Sequence, residues 1–482
     1  MISSDSNGQK ATIPLLINNE SVVTDTIFEV RNPATGKVID YCAGASVEDA
    51  TRAVAAAKAA FPAWSQTNPY VRRDILSRAA EIMFLRKEEL IRYQMEETGA
   101  GRLFVEKTFM FGVEFLRDFA AMIPSIEGKV PTVNQDGEGA MVVKQPYGVI
   151  LGIAPWNAPY ILGTRAVALP LAAGNTAILK GSELSPKCFW ALGDIYREAG
   201  LPAGCLNILY HQTSDAPAVT NALIAHAAVR KISFTGSTHV GSIVAATAGK
   251  YVKPVLLELG GKAAAIILDD ANLAKAAMCC ALGAFMHSGQ ICMSTERIVV
   301  QRAVAEKFQR LLVEATEKVF GHNAPAPVLV ASAAVQKNRD LVADAVDKGG
   351  RILFGSPNAV ETCENSLRPV VMGGVTKAMR IYSTESFGPT VSFLVVDTED
   401  EAIEVANDTE YGLSAAVFTN NLFRGLRVAK QIESGAVHIN SLTVHDEPTL
   451  PHGGWKNSGF GRFGGTAGYD EWLQTKTITW VE

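Results

Sequence analysis

The stretch "HSGQICMST", residues 287–295, sets one cysteine among small and polar residues, directly after the apolar run 281–286. A core cysteine prefers bulky apolar neighbours and a disulfide needs a partner, so Cys292 is a candidate for reactive chemistry. A free thiol, with a pKa near about 8.5, is only a few per cent thiolate at neutral pH, so a nucleophile needs an adjacent base or a positive field. Upstream, "LLELGGKAA" places Glu258 at the end of an apolar strand, before two glycines that let other groups come close. Partial burial is expected to raise its pKa toward the working pH, which suits a general base. In "APWNAPY", Asn157 stands between two prolines that stiffen the backbone around it. Such an amide, paired with a backbone N–H, can bind an oxyanion, worth roughly 3 kcal/mol in a comparable case. Taken singly, each residue also fits a plain structural role: a core cysteine, a strand-end carboxylate, a turn asparagine.

A second group of residues suits a nucleotide. In "KISFTGSTHVGSIV" a strand ends at Phe234, a Gly-Ser-Thr turn follows, and a helix begins near Thr238. Gly236 lets backbone N–H groups approach a phosphate, and a helix N-terminus adds about half a positive charge. Gly241 lies five residues on, so the spacing differs from G-x-G-x-x-G, and a simple helix cap explains the turn as well. Lys180 and Glu183 of "ILKGSE" end a neighbouring strand, where open α/β sheets bind ligands. A carboxylate there would hydrogen-bond a ribose 2′-hydroxyl and repel a 2′-phosphate, which favours NAD over NADP. The plain alternative is a solvated Lys/Glu pair.

The elements that must position these residues follow from pattern. The chain has 482 residues, enough for two or three domains. With 48% hydrophobic and 19% charged residues it has a globular balance, and a net charge of −5 argues against nucleic acid or an anionic membrane as partner. The 7 cysteines show neither pairing nor zinc-ligand spacing, so no metal site is expected and a reducing cytoplasm is. No secretory signal is read in the first residues, and "YGVILGIAPWNAPYILG", broken by prolines, falls short of a membrane span.

The N-terminal third reads as helical: "SVEDATRAVAAAKAAFPAW" opens with Ser46 and Asp49 as a capping box, and "RRDILSRAAEIMFLRKEELIRY" carries one apolar stripe. From 149 onward, short apolar runs alternate with helical patterns, the rhythm of βαβ units around a parallel sheet, and a second such series follows "PVLLELGG". The predicted architecture is α/β: a Rossmann-like cofactor domain (1–124 and 146–257), a catalytic α/β domain (258–447), and a small β flap (125–145 and 468–482). Residues 448–467 return to the cofactor domain. The flap's alternating tail, "WLQTKTITWVE", is suited to adding to a neighbouring subunit by its edge.

Seven ordered motifs, "APWNAP", "AILKGSE", "FTGST", "LELGGK", "GQICMST", "ESFGP" and "PHGGWKNSGFGR", make the sequence resemble the NAD(P)-dependent aldehyde dehydrogenases over essentially its whole length. The resemblance implies Cys292 as nucleophile, Glu258 as base, and Asn157 with the Cys292 backbone amide as oxyanion hole. It implies cofactor contacts from Ile153, Trp156, Lys180, Ser182, Glu183, Gly236, Ser237, Val240, Gly241 and Leu259, with Glu385 and Phe387 at the nicotinamide end. The implied chemistry is thiolate addition to the aldehyde, hydride loss to NAD, and hydrolysis of the resulting thioester by water that Glu258 deprotonates.

Departures from the family pattern bear on substrate. Gly181 stands where many relatives have proline, and Phe463 where many have a glutamate proposed to assist proton transfer. Arg165, eight residues after Asn157, stands where acetaldehyde-type enzymes place tryptophan, and "LTVHDEP" precedes "PHGGWKNSGFGRFGG". This combination looks like the branch oxidising salicylaldehyde, vanillin and benzaldehyde, and also like secondary-metabolite members acting on larger polyketide or aliphatic aldehydes. A guanidinium can bond a ring hydroxyl or carboxylate and stack on an aromatic face, or else form an internal salt bridge. Tyr160, Leu162, Met286, Ile291, Met293 and His452 are the expected walls around it. A small-molecule aldehyde is the expected partner, in a homodimer or homotetramer. The reading from another class is a thiol esterase, which would need Cys292 and Glu258 but not the nucleotide residues.

Overall fold

A computed structural model describes residues 12–321, 323–359 and 363–481; residues 1–11 of the expected cofactor domain and 482 of the expected flap lie outside these. Two sheets dominate. In the first, the order is Gly459–Phe460, Val255–Glu258, Val229–Thr235, Val149–Ile153, Thr176–Lys180, Leu206–Leu209, Leu15–Ile17, Glu20–Val22. The five strands from Val255–Glu258 to Leu206–Leu209 are parallel. They are mostly apolar and nearly all buried, as expected of strands covered by helices.

Register brings the strand ends level: Ile153 lies beside both Phe234 and Lys180, Lys180 beside Leu209, and Thr235 beside Glu258. The chain order reverses between Val149–Ile153 and Val229–Thr235, so a crevice opens outside their carboxyl ends. The Asn157 loop leaves one side of that crevice and the Gly236 turn leaves the other.

The second sheet runs Arg351–Phe354, Val370–Gly373, Thr390–Val396, Thr295–Gln301, Ala263–Ile267, Ser414–Phe418, Ala436–Ile439, all parallel except the first. It meets the site by the amino ends of its central strands. The segments just before Ala263, Thr295 and Thr390 are Gly260–Lys262, Cys292–Ser294 and Glu385–Pro389. Glu258 therefore sits at the crossing, where four residues carry the chain from one sheet to the other.

Local signals account for several boundaries. Ser46 and Asp49 exchange side-chain and backbone hydrogen bonds at the start of helix Val47–Ser65. The stretch with the helical apolar stripe forms two helices, Pro69–Leu85 and Lys87–Thr98, which part at Arg86, where the guanidinium is tied to Glu89 and Asp194. Strands Glu138–Pro146 and Leu473–Val481 pair antiparallel over nine residues, apart from both large sheets. Among the described residues no helix is long and apolar enough to cross a membrane, and all seven cysteines are free.

Candidate active site

Cys292 follows a tight passage in which His287, Ser288 and Gly289 all adopt positive φ. A Cβ on Gly289 would lie 2.1 Å from the carbonyl oxygen of Gly388, and one on Gly261 would lie 2.3 Å from that of Cys292. Glycine is thus required where the cysteine loop presses on the "ELGG" crossing. The thiol donates to Glu258 Oε1 at 3.2 Å. Asn157 Nδ2 donates to the Gln290 carbonyl at 2.9 Å, which holds the amide beside the cysteine loop.

The "ESFGP" turn is clamped from strand Thr295–Gln301, which follows the cysteine loop. Glu296 accepts from the backbone N–H of Ser386 (2.8 Å) and Phe387 (3.1 Å), and is paired with buried Lys262. Glu385 in turn accepts from Gly261 N at 2.7 Å. Burial, then the charge of Glu296, raises the Glu385 pKa to about 7, against the Gly261 N–H and two lysines.

Two cavities, of about 740 and 770 Å³ with their open mouths included, share Asn157, Leu162, Glu258 and Cys292. Both are of small-molecule size, about 300–1,000 Å³. One is lined by Trp156, Gly236, Ser237, Leu259, Glu385 and Phe387, six of the residues expected to bind a cofactor, together with Thr235 and Lys337. Of the rest, Ile153 and Lys180 lie side by side at adjoining strand ends, Gly241 packs under Leu259, and Val240 is exposed with its N–H capped by Ser237. Half-buried Glu183 meets Thr213 and Ser182 at 3.4 and 3.5 Å. Burial lowers the Lys180 pKa, with Glu183 opposing. Gly181 donates its N–H to Leu209 O at 3.0 Å, a bond that proline could not make.

The other cavity is lined by Leu162, Arg165, Met286, Ile291 and Met293, as expected, and by residues that sequence reading missed: Phe104, Lys107, Phe111, Val444 and Asp446. Phe104, Thr108 and Phe111 recur on one face of helix Arg102–Met122. That spacing marks a buried stripe but not the loop it meets.

Three expectations are corrected. Tyr160 is fully buried away from the cavity, with its hydroxyl donating to Leu90 O at 2.7 Å, because helix Pro159–Ala172 is buried on all sides and only part of it faces the pocket. His452 forms no part of the pocket wall; its Nε2 stands 3.5 Å from Glu258 Oε1, beside the carboxylate. Glu258 is not raised toward neutrality. Burial does push its pKa up, but Arg165, His452 and the Cys292 thiol outweigh it and hold the value at about 2. Arg165, while lining the cavity, is ion-paired with Glu258 and, at 3.1 Å, with Asp446, and its guanidinium lies 4.3 Å from the centre of the Phe463 ring. The Cys292 pKa is well above its ordinary value, through burial and then the charge of Glu258 and its hydrogen bond.

A half-buried thiol thus touches an ionised carboxylate, beside a loop-anchored amide, where two cavities meet. The model of the aldehyde dehydrogenase family matches residues 19–478. The chain belongs to that family. It is similar to a vanillin dehydrogenase of Pseudomonas fluorescens, 43% identical with 97% of each chain covered. Among solved structures it is similar to a salicylaldehyde dehydrogenase from Pseudomonas putida G7 complexed with salicylaldehyde (TM-score 0.94, 37% identity, 98% of each chain). It is also similar to a betaine aldehyde dehydrogenase from Staphylococcus aureus in complex with NAD+ (TM-score 0.92, 29% identity, 97% of this chain and 94% of that one). As a member, the protein is an oxidoreductase acting on aldehydes with a nicotinamide cofactor.

Proposed function

We propose that the protein oxidises an aromatic aldehyde carrying a polar ring substituent to its carboxylic acid, with NAD, through a thioester on Cys292. The observation that carries this reading is the meeting of two cavities at one thiol. The Gly236 turn at a helix N-terminus, the Lys180/Glu183 pair and the clamped Glu385/Phe387 turn suit the phosphates, ribose and ring of a dinucleotide. Such a cofactor, when bound, supplies the hydride acceptor. Glu183 favours NAD over NADP, since a 2′-phosphate beside it would meet like charge.

The chain's own groups perform the remaining work. Cys292 is protonated at rest, because burial and the neighbouring carboxylate disfavour the thiolate. Attack on the aldehyde carbon therefore requires its proton to pass to Glu258, 3.2 Å away. Asn157, with one amide N–H on Gln290, keeps its second for the oxyanion, alongside the Cys292 backbone N–H. Cys292 then holds the acyl group while Glu258 takes a proton from water. Phe104, Phe111, Ile161 and Leu162 offer apolar walls to a ring, and Lys107, Arg165 and Asp446 offer partners for its substituents. Relatives named for vanillin and salicylaldehyde, at 43% and 38% identity, support this class. The paired terminal strand supports a homo-oligomer, and seven free cysteines support a reducing compartment such as the cytoplasm.

The test is a panel of benzaldehydes, aliphatic and longer polyene aldehydes with NAD or NADP, followed by reduced-cofactor absorbance. Hydroxybenzaldehydes with NAD are expected to give the highest kcat/KM. Cys292→Ala should abolish oxidation and any ester hydrolysis, and Glu258→Gln should slow turnover by about 100-fold or more. Full turnover by Cys292→Ala would overturn the thioester reading.

A further inference from the structure

Glu258 is fully buried, and among the described residues its side-chain partners are Cys292, Arg165 and His452. A base that accepts a proton in each half of the reaction must also release it, twice per turnover. Arg165 cannot take a proton, being permanently charged, and Cys292 is where the first proton comes from. Among the described side chains His452 is the remaining contact, and a neutral imidazole carries a bare ring nitrogen that accepts a proton.

The position of His452 is built. Its backbone N–H and C=O both bond to Phe463, each at 2.7 Å, and the two residues form a bridge. Through this bridge the chain sets the Phe463 ring against Arg165 and the His452 ring against Glu258. Buried His452 Nε2 makes no well-aligned hydrogen bond, its 3.5 Å contact with Glu258 Oε1 lying at the limit, an unusual state for a buried polar atom. On its other side Nδ1 stands 3.9 Å from Asp446 Oδ1, a carboxylate that is 10% exposed.

We propose that His452 is a proton relay behind Glu258, taking up the proton of the Cys292 thiol and later that of the deacylating water, and passing each toward Asp446 and solvent. In the first step the S–H bond breaks as the S–C bond to the aldehyde forms, and the proton moves through Glu258 Oε1 to His452 Nε2. In the second, a water O–H bond breaks as the C–O bond forms and its proton takes the same path; the C–S bond then breaks, and the proton of the released acid returns to the Cys292 thiolate. Each time His452 gives up a proton from Nδ1, and a turn of the ring between the two transfers again presents a bare nitrogen to Glu258, so no charge accumulates. The groups that face this imidazole are Glu258 from the first sheet and Asp446 from the loop before it. Arg165 acts on both carboxylates, and His438 on strand Ala436–Ile439 is held low by burial, then by His445 and His452.

This inference rests on Glu258 acting as the base. The experiment compares His452→Gln, His452→Ala and Glu258→Gln with the unaltered enzyme. In His452→Gln, kcat is expected to fall about tenfold or more, with KM for aldehyde and affinity for NAD within about twofold. In His452→Ala, added imidazole should restore turnover in a concentration-dependent manner. If either variant fails to fold, a proton inventory of the unaltered enzyme in H2O/D2O mixtures decides: a curved plot supports the relay, a linear one overturns it. His452→Gln with unaltered kcat overturns the relay, provided that Glu258→Gln is impaired. Unimpaired Glu258→Gln overturns the base itself.

Discussion

Arg165 holds Glu258 as a carboxylate in a place where burial alone would protonate it. The pair is almost fully enclosed, so removing one partner leaves an uncompensated buried charge. For Arg165→Met we expect a loss of about 3–5 kcal/mol at neutral pH, read from denaturant unfolding. The pH dependence has a definite sign. Because the folded-state pKa of Glu258 lies below its ordinary value, the ion pair's contribution is present above about pH 4.5 and is lost as pH falls toward about 2. The difference between the two proteins should therefore shrink on acidification. In pH–rate profiles of Arg165→Met, the acid limb of Glu258 should move up, since the burial effect is then less opposed; an unmoved limb would mean that Arg165 does not set the carboxylate's state. The same pairing makes Glu258 a weaker base at rest. A substrate hydroxyl or carboxylate entering the cavity meets a guanidinium whose Nε–H has no partner among the described residues.

The crossing from strand Val255–Glu258 to strand Ala263–Ile267 is the element on which the site depends. Two glycines at its centre receive Glu385 on one side and the Cys292 carbonyl on the other. Gly261→Ala places a Cβ against backbone that has no room to yield. It should shift the thiol by enough to lower kcat by about 100-fold. Stopped-flow alkylation of Cys292 and circular dichroism together check this: a folded variant with unaltered kcat would show that the contact is not critical. The glycines stand out in the sequence beside the carboxylate, whereas the groups that touch them do not. The motif residues were legible because each lies at the end of an apolar run, where pattern alone locates a strand terminus. Tyr160 was misplaced because a helix buried on every side carries no stripe to show which residues face a cavity.

At the scale of the whole molecule, strands Glu138–Pro146 and Leu473–Val481 form a ribbon of only two strands, with Ile478, Trp480 and Val481 exposed by 41, 40 and 75%. An isolated two-stranded ribbon is marginal in water, and an unpaired strand edge is a template for another chain. Deletion of residues 473–482 is expected to convert an oligomer to a monomer, measured by light scattering coupled to size exclusion. An unchanged mass would place the subunit contact elsewhere.

The alternation of apolar runs and helical stripes by itself determined a parallel α/β architecture, and the strand-end positions of Asn157, Lys180, Gly236 and Glu258. These follow from interactions between residues near one another in the chain. Only the tertiary structure decided the state of Glu258, the pairing of Arg165, the stacking of Phe463 and the contact of His452. Arg165 is 93 residues from Glu258 and 281 from Asp446. A charge network assembled over such separations leaves no local periodicity, and its electrostatics depend on which burial and which partner each group meets after folding.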